Sequence, residues 1–480
     1  MNAPQTLLWT TEDITSITQG SETHNASVFG VSIDTRTLKQ GDLFVALKGD
    51  TGDGHEYIEQ AFAAGASAAL VQEGTVDFDG SADHAIIQVK DTLQALEQLA
   101  HAARERSQAL RIGITGSAGK TGTKEMLGIV LTEFGKTHTS VKSYNNHWGV
   151  PLTLTRMPED TVYGIFEMGM NHAGEIHKLT DMVRPDIAII TTILPAHIEH
   201  FATEQDIARA KAEIVDSMTQ DSMLILPIDN PHYLTMYKAG EKAGLKKIYS
   251  FGDDEGADAR ITDLKLSAGE SKVTANIMGD KVKFRLSIPG KHIALNALAV
   301  LLATKLAGLD VNHAAKTLTK AEPIEGRGQC SIITIDPDEP PVTLIDESYN
   351  ANPEAMKAAF KVLELYEPKA EGRRIAVLGD MMELGPSGPK MHADLANPLL
   401  IAKADLVFTC GPQMEALHNT LPEPWRGGHT QDSFALCDAV TEAVKPGDVI
   451  LVKGSLGSKM AYVVEALQGL RKSKTGQEVA

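Results

Sequence analysis

A lysine and a threonine close a glycine-spaced loop, Gly116-Ser117-Ala118-Gly119-Lys120-Thr121-Gly122, directly after the apolar run 111–115. Glycines let a chain turn so tightly that consecutive N–H groups face one set of phosphate oxygens. A helix starting there adds the positive end of its dipole. Lys120 has the reach for β- and γ-phosphates, and the Thr121 hydroxyl is a hard oxygen donor suited to Mg2+. The spacer before Gly119 is shorter than in the commonest phosphate loop, so a glycine-rich turn with an incidental lysine competes. Placement between a strand and a helix favours nucleotide binding.

Glu167 ends the apolar run 162–166, and His197 follows the run 187–193. Both are expected at the carboxyl edge of a parallel sheet, where open α/β folds bind ligands. Singly, Glu167 also reads as a solvated strand-end carboxylate and His197 as a loop histidine with a structural hydrogen bond. Beside a phosphate loop, the pair reads as a divalent-cation site. Lys211 lies in a helical run, where the default reading is a solvated surface lysine.

These residues must be held by sheets. The chain has 480 residues, 42% hydrophobic, 22% charged and 5% aromatic, which suits about three soluble domains packed mainly by aliphatic side chains. Short apolar runs alternate with helical stretches throughout. The expected fold is α/β in three domains: an N-terminal α/β substrate domain over 1–108, a central P-loop domain with a mononucleotide-binding parallel sheet over 109–321, and a C-terminal Rossmann-like domain over 322–480. The stretch 261–290 reads most simply as an antiparallel hairpin appended to the central sheet. A helix over 92–106 and another over 353–366 are expected from composition.

The net charge of −18 argues against unspecific nucleic-acid or anionic-membrane binding. Cys330, Cys410 and Cys437 match no zinc spacing and read as unpaired thiols in a reducing compartment. No secretion signal is visible at the N-terminus, no run approaches 18 apolar residues, and the polar C-terminal tail is expected to fray. A cytoplasmic monomer is expected.

The motifs together resemble the Mur ligase family, which includes folylpolyglutamate synthetases. TGSAGKTGTKEM looks like its ATP loop, FEMGMN its Glu-bearing strand end, LPAHIEHF its His-bearing loop, IARAKAEI its carbamylated-lysine segment and PGKHIALNALA the helix start near adenine. SIDTRTLKQGDLFVALKG, NNHWGVPLTL, IDESYNANPEAM and VLGDMMELG are most similar to the branch that joins D-alanyl-D-alanine to UDP-N-acetylmuramoyl-tripeptide. The likeness covers essentially the whole chain. It implies an ATP-dependent ligase that couples a carboxylate to an amine through an acyl phosphate. It implies Mg2+ at two sites held by Thr121, Glu167, His197 and a carbamate on Lys211, formed from CO2. That carbamate requires a neutral amine, hence a lysine with lowered pKa.

By the same resemblance, His292, Asn296, Arg327 and Asp346 contact the nucleotide. Caps explain the first two equally well, and an exposed linker position explains Arg327. Ser348, Tyr349, Asn350 and Asn352 form a polar loop suited to a zwitterionic dipeptide, or an asparagine-rich turn. Lys453 reads as a carboxylate partner. Asp34, Thr35, Arg36, Leu47, Lys48 and Gly49 lie at strand ends where a UDP pyrophosphate is expected, with Asn145 and Asn146 supplying contacts from the central domain. Surface turns compete for each. Pro227, Glu347 and Leu456 depart from the family's usual residues, and Trp148 is bulkier than usual at its position.

Three rivals stand beside this reading. Another amide ligase of the same family would take a different amine; the DNPR signature of the diamino-acid branch is absent. A P-loop kinase would form ADP without an amide. A regulatory nucleotide-binding protein would lack the full set Lys120, Glu167, His197 and Lys211.

Overall fold

The runs Leu110–Thr115, Tyr163–Glu167, Ile187–Ile190 and Met223–Pro227 lack polar alternation, the pattern of strands covered on both faces. In the computed structural model they are the centre of a nine-stranded sheet. The structure describes residues 6–49, 52–75, 84–141, 143–195 and 198–473, with side chains to residue 470. His197 and the tail 474–480 lie outside the described residues.

The central sheet runs, edge to edge, Asp280–Leu286, Glu270–Ile277, Ala259–Ser267, Lys247–Gly252, Met223–Pro227, Ile187–Ile190, Leu110–Thr115, Tyr163–Glu167 and Thr137–Thr139. From Thr137–Thr139 to the first pairing of Ala259–Ser267 every ladder is parallel. Ile187 and Ile189 face one core with Leu127 and Leu298, while Ala188 and Ile190 face another with Ile176 and Ile207. The helix Lys291–Leu306 is apolar nearly all round and accordingly buried against Lys120–Thr132 and the outer strands.

The stretch expected to be a hairpin is instead a three-stranded meander. Ala259–Ser267, Glu270–Ile277 and Asp280–Leu286 pair antiparallel in succession. Two turns make this possible, with Gly269 at φ +77° and Gly279 at φ +93°. Before the strand Ala68–Gln72 lie a short 3-10 turn, Gly54–Tyr57, and the helix Ile58–Ala63.

The N-terminal sheet orders Ser21–Glu22, Ala85–Val89, Ala68–Gln72, Asp42–Val45 and Gly30–Ser32. The helix Thr92–Arg106 matches its expected span and is capped by Asp91, whose carboxylate accepts from the N–H groups of Leu93 and Gln94. It packs against Gly149–Thr155, so this sheet is tied to the central one. Trp9 Nε1 also donates to Thr155 O at 2.9 Å. The C-terminal sheet orders Gln329–Ile333, Val342–Glu347, Val449–Lys453, Arg374–Gly379, Leu406–Cys410 and Arg426–Thr430, parallel except for its first edge strand. Among the described residues no helix is long and apolar enough to cross a membrane.

Candidate active site

The chain leaves the strand Leu110–Thr115 toward one side of the sheet and returns on the other at Ile187–Ile190. That reversal opens a crevice at the carboxyl ends of the strands, and the phosphate loop fills it. Gly116 has φ +146° and a Cβ there would lie 1.9 Å from Thr191 Oγ1; Gly119 has φ +82° and a Cβ would lie 2.5 Å from Asn296 Nδ2. Both glycines are therefore required by backbone conformation and by close approach. Lys120 Nζ donates to Gly116 O at 2.7 Å, folding over the loop. A side chain at Gly122 would meet nothing within 4 Å. Thr191 Oγ1 donates to Ala118 O at 2.6 Å, and Ser117 N to Thr192 O at 2.8 Å. The Ser117 hydroxyl is bonded to Leu194 at 3.0 Å, so it anchors the loop to the neighbouring strand end.

Glu167 is buried, with Oε1 accepting from Asn145 Nδ2 at 2.7 Å and Oε2 lacking any partner. Lys211 is buried too, and no carboxylate among the described residues pairs with it. Burial, and then the positive charge of Lys120, hold the Lys211 amine well below the ordinary lysine range. Burial also lowers Lys120, opposed by nearby Glu167 and reinforced by Arg327. These effects place Lys120, Lys211, Glu167 and Arg327 in one electrostatic neighbourhood. The Thr121 side chain is buried, its hydroxyl 3.5 Å from that of Ser143. Among the described residues no three His, Cys, Asp or Glu side chains gather as a metal cage. An orphaned carboxylate oxygen and a buried hydroxyl nevertheless fit an oxygen-liganded cation.

The C-terminal sheet faces this loop. Arg327 lies in a turn between Gly326 at φ +72° and Gly328 at φ +91°. Its guanidinium sits 4.0 Å from the Tyr349 ring centroid, and the Tyr349 hydroxyl donates to Ser143 Oγ at 3.3 Å. Asp346 Oδ1 accepts from Ser348 N at 3.0 Å, and both residues are buried. Asn350 Oδ1 accepts from Ala351 N, and Asn352 Oδ1 from Ala355 N, each at 2.8 Å. Asn352 is thus the N-cap of the helix Pro353–Glu364, which realises the turn reading for this residue. Lys453 Nζ donates to Glu347 Oε2 at 3.0 Å and Asn350 O at 2.9 Å. The ammonium expected to await a substrate carboxylate is already paired within the chain.

A cavity of about 430 Å³ lies between the sheets, bounded by Gly119, Asn230, His292, Asn296, Glu347 and Lys453 among others. A second, of about 150 Å³, shares His292, Asn296, Glu347 and Lys453 and reaches Arg327 and Asn350. Thr191, Thr192, Asn230 and Ser143 escaped the sequence reading. Thr191 and Thr192 directly follow a parallel strand, the same strand-end signal that picked out Glu167. Asn230 donates to Ile193 O at 2.9 Å, far along the chain, and no local pattern marks it.

The N-terminal residues form a separate group. Asp34 and Arg36 bind each other bidentately on an exposed turn, and Thr35 is half-buried between them. Lys48 and Asp53 pair through an isolated antiparallel backbone bridge, Gly49 N donates to Gly52 O at 2.9 Å and Leu47 is buried. Trp148 from the central part packs on Gly49, where a Cβ would lie 2.9 Å from its ring. Asn146 Oδ1 accepts from the N–H groups of Trp148 and Gly149, setting the turn that delivers this ring and Asn145. Leu456, the departure after Lys453, is 63% exposed in a short 3-10 turn.

Fold and site together define an α/β protein of the phosphate-loop class with three large sheets. The chain belongs to the Mur ligase family: residues 27–104 match the model for the Mur ligase family, catalytic domain, residues 114–304 the Mur ligase middle domain, and residues 334–456 the Mur ligase, glutamate ligase domain. It is 35% identical to the UDP-N-acetylmuramoyl-tripeptide–D-alanyl-D-alanine ligase of Bacillus subtilis, covering 92% of this chain and 93% of that protein. The structure resembles MurF from Acinetobacter baumannii with TM-score 0.83 at 29% identity, covering 97% of this chain and all of that one. It also resembles MurF from Thermotoga maritima in complex with ADP, with TM-score 0.76 at 25% identity over 93% of this chain and 98% of that one.

Proposed function

We propose that this protein uses ATP to join D-alanyl-D-alanine to UDP-N-acetylmuramoyl-tripeptide in the cytoplasm, yielding the pentapeptide precursor of peptidoglycan, ADP and phosphate. The relatives carrying that activity in their names cover nearly the whole chain. The carrying observation is the glycine loop at the carboxyl edge of the parallel sheet, with Lys120 folded onto Gly116 O and buried Glu167, one oxygen unpartnered, on the adjoining strand end; the charges of Glu167 and Arg327 act on Lys120, and that of Lys120 on Lys211.

In this reading the loop N–H groups and Lys120 hold the triphosphate, with Asn296 and His292 along its flank. The tripeptide carboxylate attacks the γ-phosphorus, the bond to ADP breaks, and an acyl phosphate forms. Lys120 and Arg327 offset the charge spread over the transferring phosphoryl oxygens. Thr121, Glu167, His197 and carbamylated Lys211 would hold Mg2+, which supplies Lewis-acid stabilisation of those oxygens. The depressed Lys211 amine supports this assignment, since only a neutral amine reacts with CO2. The amine of D-alanyl-D-alanine then attacks the acyl carbon, phosphate leaves, and an amide remains. Closure of the C-terminal sheet over the loop would exclude water that hydrolyses the acyl phosphate; Tyr349 of that sheet reaches Ser143 beside Thr121. The polar turns Asp34–Arg36 and Leu47–Gly49 would receive the UDP end, beside Trp148.

Incubation with ATP, Mg2+, UDP-N-acetylmuramoyl-tripeptide and D-alanyl-D-alanine should give a product of the pentapeptide's mass. Phosphate release without coupled product rejects the ligase.

A further inference from the structure

The Glu347–Lys453 pair is asymmetric in a way that assigns it a task. Parallel pairing of Val342–Glu347 with Val449–Lys453 sets the two residues side by side at the sheet's carboxyl edge. The Lys453 side chain is 3% exposed and the Glu347 side chain 21%. Both residues line both cavities, and the Glu347 carboxylate is the more exposed of the two groups there. Glu347 Oε2 is taken by Lys453, whereas Oε1 accepts no hydrogen bond among the described residues and is not sealed from solvent. A carboxylate has acceptor capacity on both oxygens, and here Oε1, beside the Gly328 turn, is left without a partner among the described residues on a residue that lines the cleft. His292 lines the same cavities and feels the charge of both partners.

We propose that Glu347 binds the ammonium group of the incoming dipeptide through Oε1, with Lys453 serving as its fixed counter-charge rather than as the substrate's carboxylate partner. This rests on the ligase reading above and adds the group that recognises the amine. The buried Lys453 holds the carboxylate in one orientation, so the amine end enters the cleft opposite the phosphate loop. The longer glutamate side chain carries its oxygen further into the cleft than an aspartate would.

Steady-state kinetics of Glu347→Gln and Glu347→Asp, with full-length protein checked for native melting, test this. Glu347→Gln should raise the KM for D-alanyl-D-alanine roughly tenfold to a hundredfold, as expected for one lost partner of a charged contact, with KM for ATP within about twofold of wild type. Glu347→Asp should fall between. N-acetyl-D-alanyl-D-alanine, which lacks the ammonium, is the second probe. Wild type should bind it far more weakly than the free dipeptide, and Glu347→Gln should bind the two alike. A dipeptide KM unmoved by Glu347→Gln, or undiminished discrimination against the acetylated probe in folded Glu347→Gln, overturns the inference. A wild-type protein that makes no amide would instead overturn the ligase reading itself.

Discussion

Lys211 is buried, and the positive charge of Lys120 acts on it. On a helix, residues four apart share a face, and Ile207, Lys211 and Val215 all point inward. That periodicity was legible in IARAKAEIV, although the type of residue argued for the surface. In the proposed reading Lys211→Ala lowers turnover roughly a hundredfold or more, and short carboxylates such as formate or acetate restore part of it. Turnover indifferent to the substitution would remove the carbamate. The depressed amine also has a thermodynamic signature in the unmodified protein. Below the ordinary lysine pKa the unfolded chain binds a proton that the folded chain refuses, so this group destabilises the fold increasingly as pH falls from about 10 toward neutrality. Lys211→Met should therefore raise the melting temperature more at pH 7 than at pH 10, measured in CO2-free buffer. An equal rise at both would mean the amine is not depressed. Ser143 and Thr191 were not legible at this scale, because their partners lie tens of residues away.

Elements decide whether those residues meet. The glycine loop was readable because a strand, the turn residues and a helix lie consecutively in the sequence. Its close fit to Asn296 was not, since that residue arrives on the helix Lys291–Leu306. Gly119→Ala should weaken ATP binding by about tenfold or more, through a strained left-handed residue and the displaced Asn296 amide. Adding Asn296→Ala should recover none of the backbone strain, so a nucleotide titration of the double variant separates the two causes. The short strand Thr137–Thr139 offers a stability test. His138 Nε2 lies 2.7 Å from Thr153 O, and burial pushes the imidazole down to about 4 despite that carbonyl. Its contribution is fully present above the unfolded value of 6.5 and is lost as pH falls through about 4. His138→Gln should flatten that acid limb by at most about 3 kcal/mol, read from urea melts across the window. The meander was half-legible: both glycine turns stand in the sequence, but counting them was needed to see three strands rather than two.

Across the whole molecule, the three sheets were legible from alternating apolar and helical runs, whereas the contacts among them were not. The helix Thr92–Arg106 packs broadly on Gly149–Thr155, while other contacts join single residues. Tyr349 reaches Ser143 from the C-terminal sheet, Glu199 N meets Glu383 O at 3.2 Å, and Trp148 seats on Gly49. None leaves a periodic trace, because each joins surface loops of different sheets. Tyr349→Phe removes one hydroxyl contact and should raise KM for ATP about fivefold while leaving the melting temperature nearly unchanged. A large loss of melting temperature would make Tyr349 a fold residue instead. The account's central claim is that this cleft forms a mixed anhydride between a carboxylate and a phosphoryl group. Tripeptide substrate carrying heavy oxygen in its reacting carboxylate tests it directly. The account predicts that one labelled oxygen appears in the released phosphate for each amide formed. Label wholly retained in the peptide or lost to water, with unlabelled phosphate released, would contradict it.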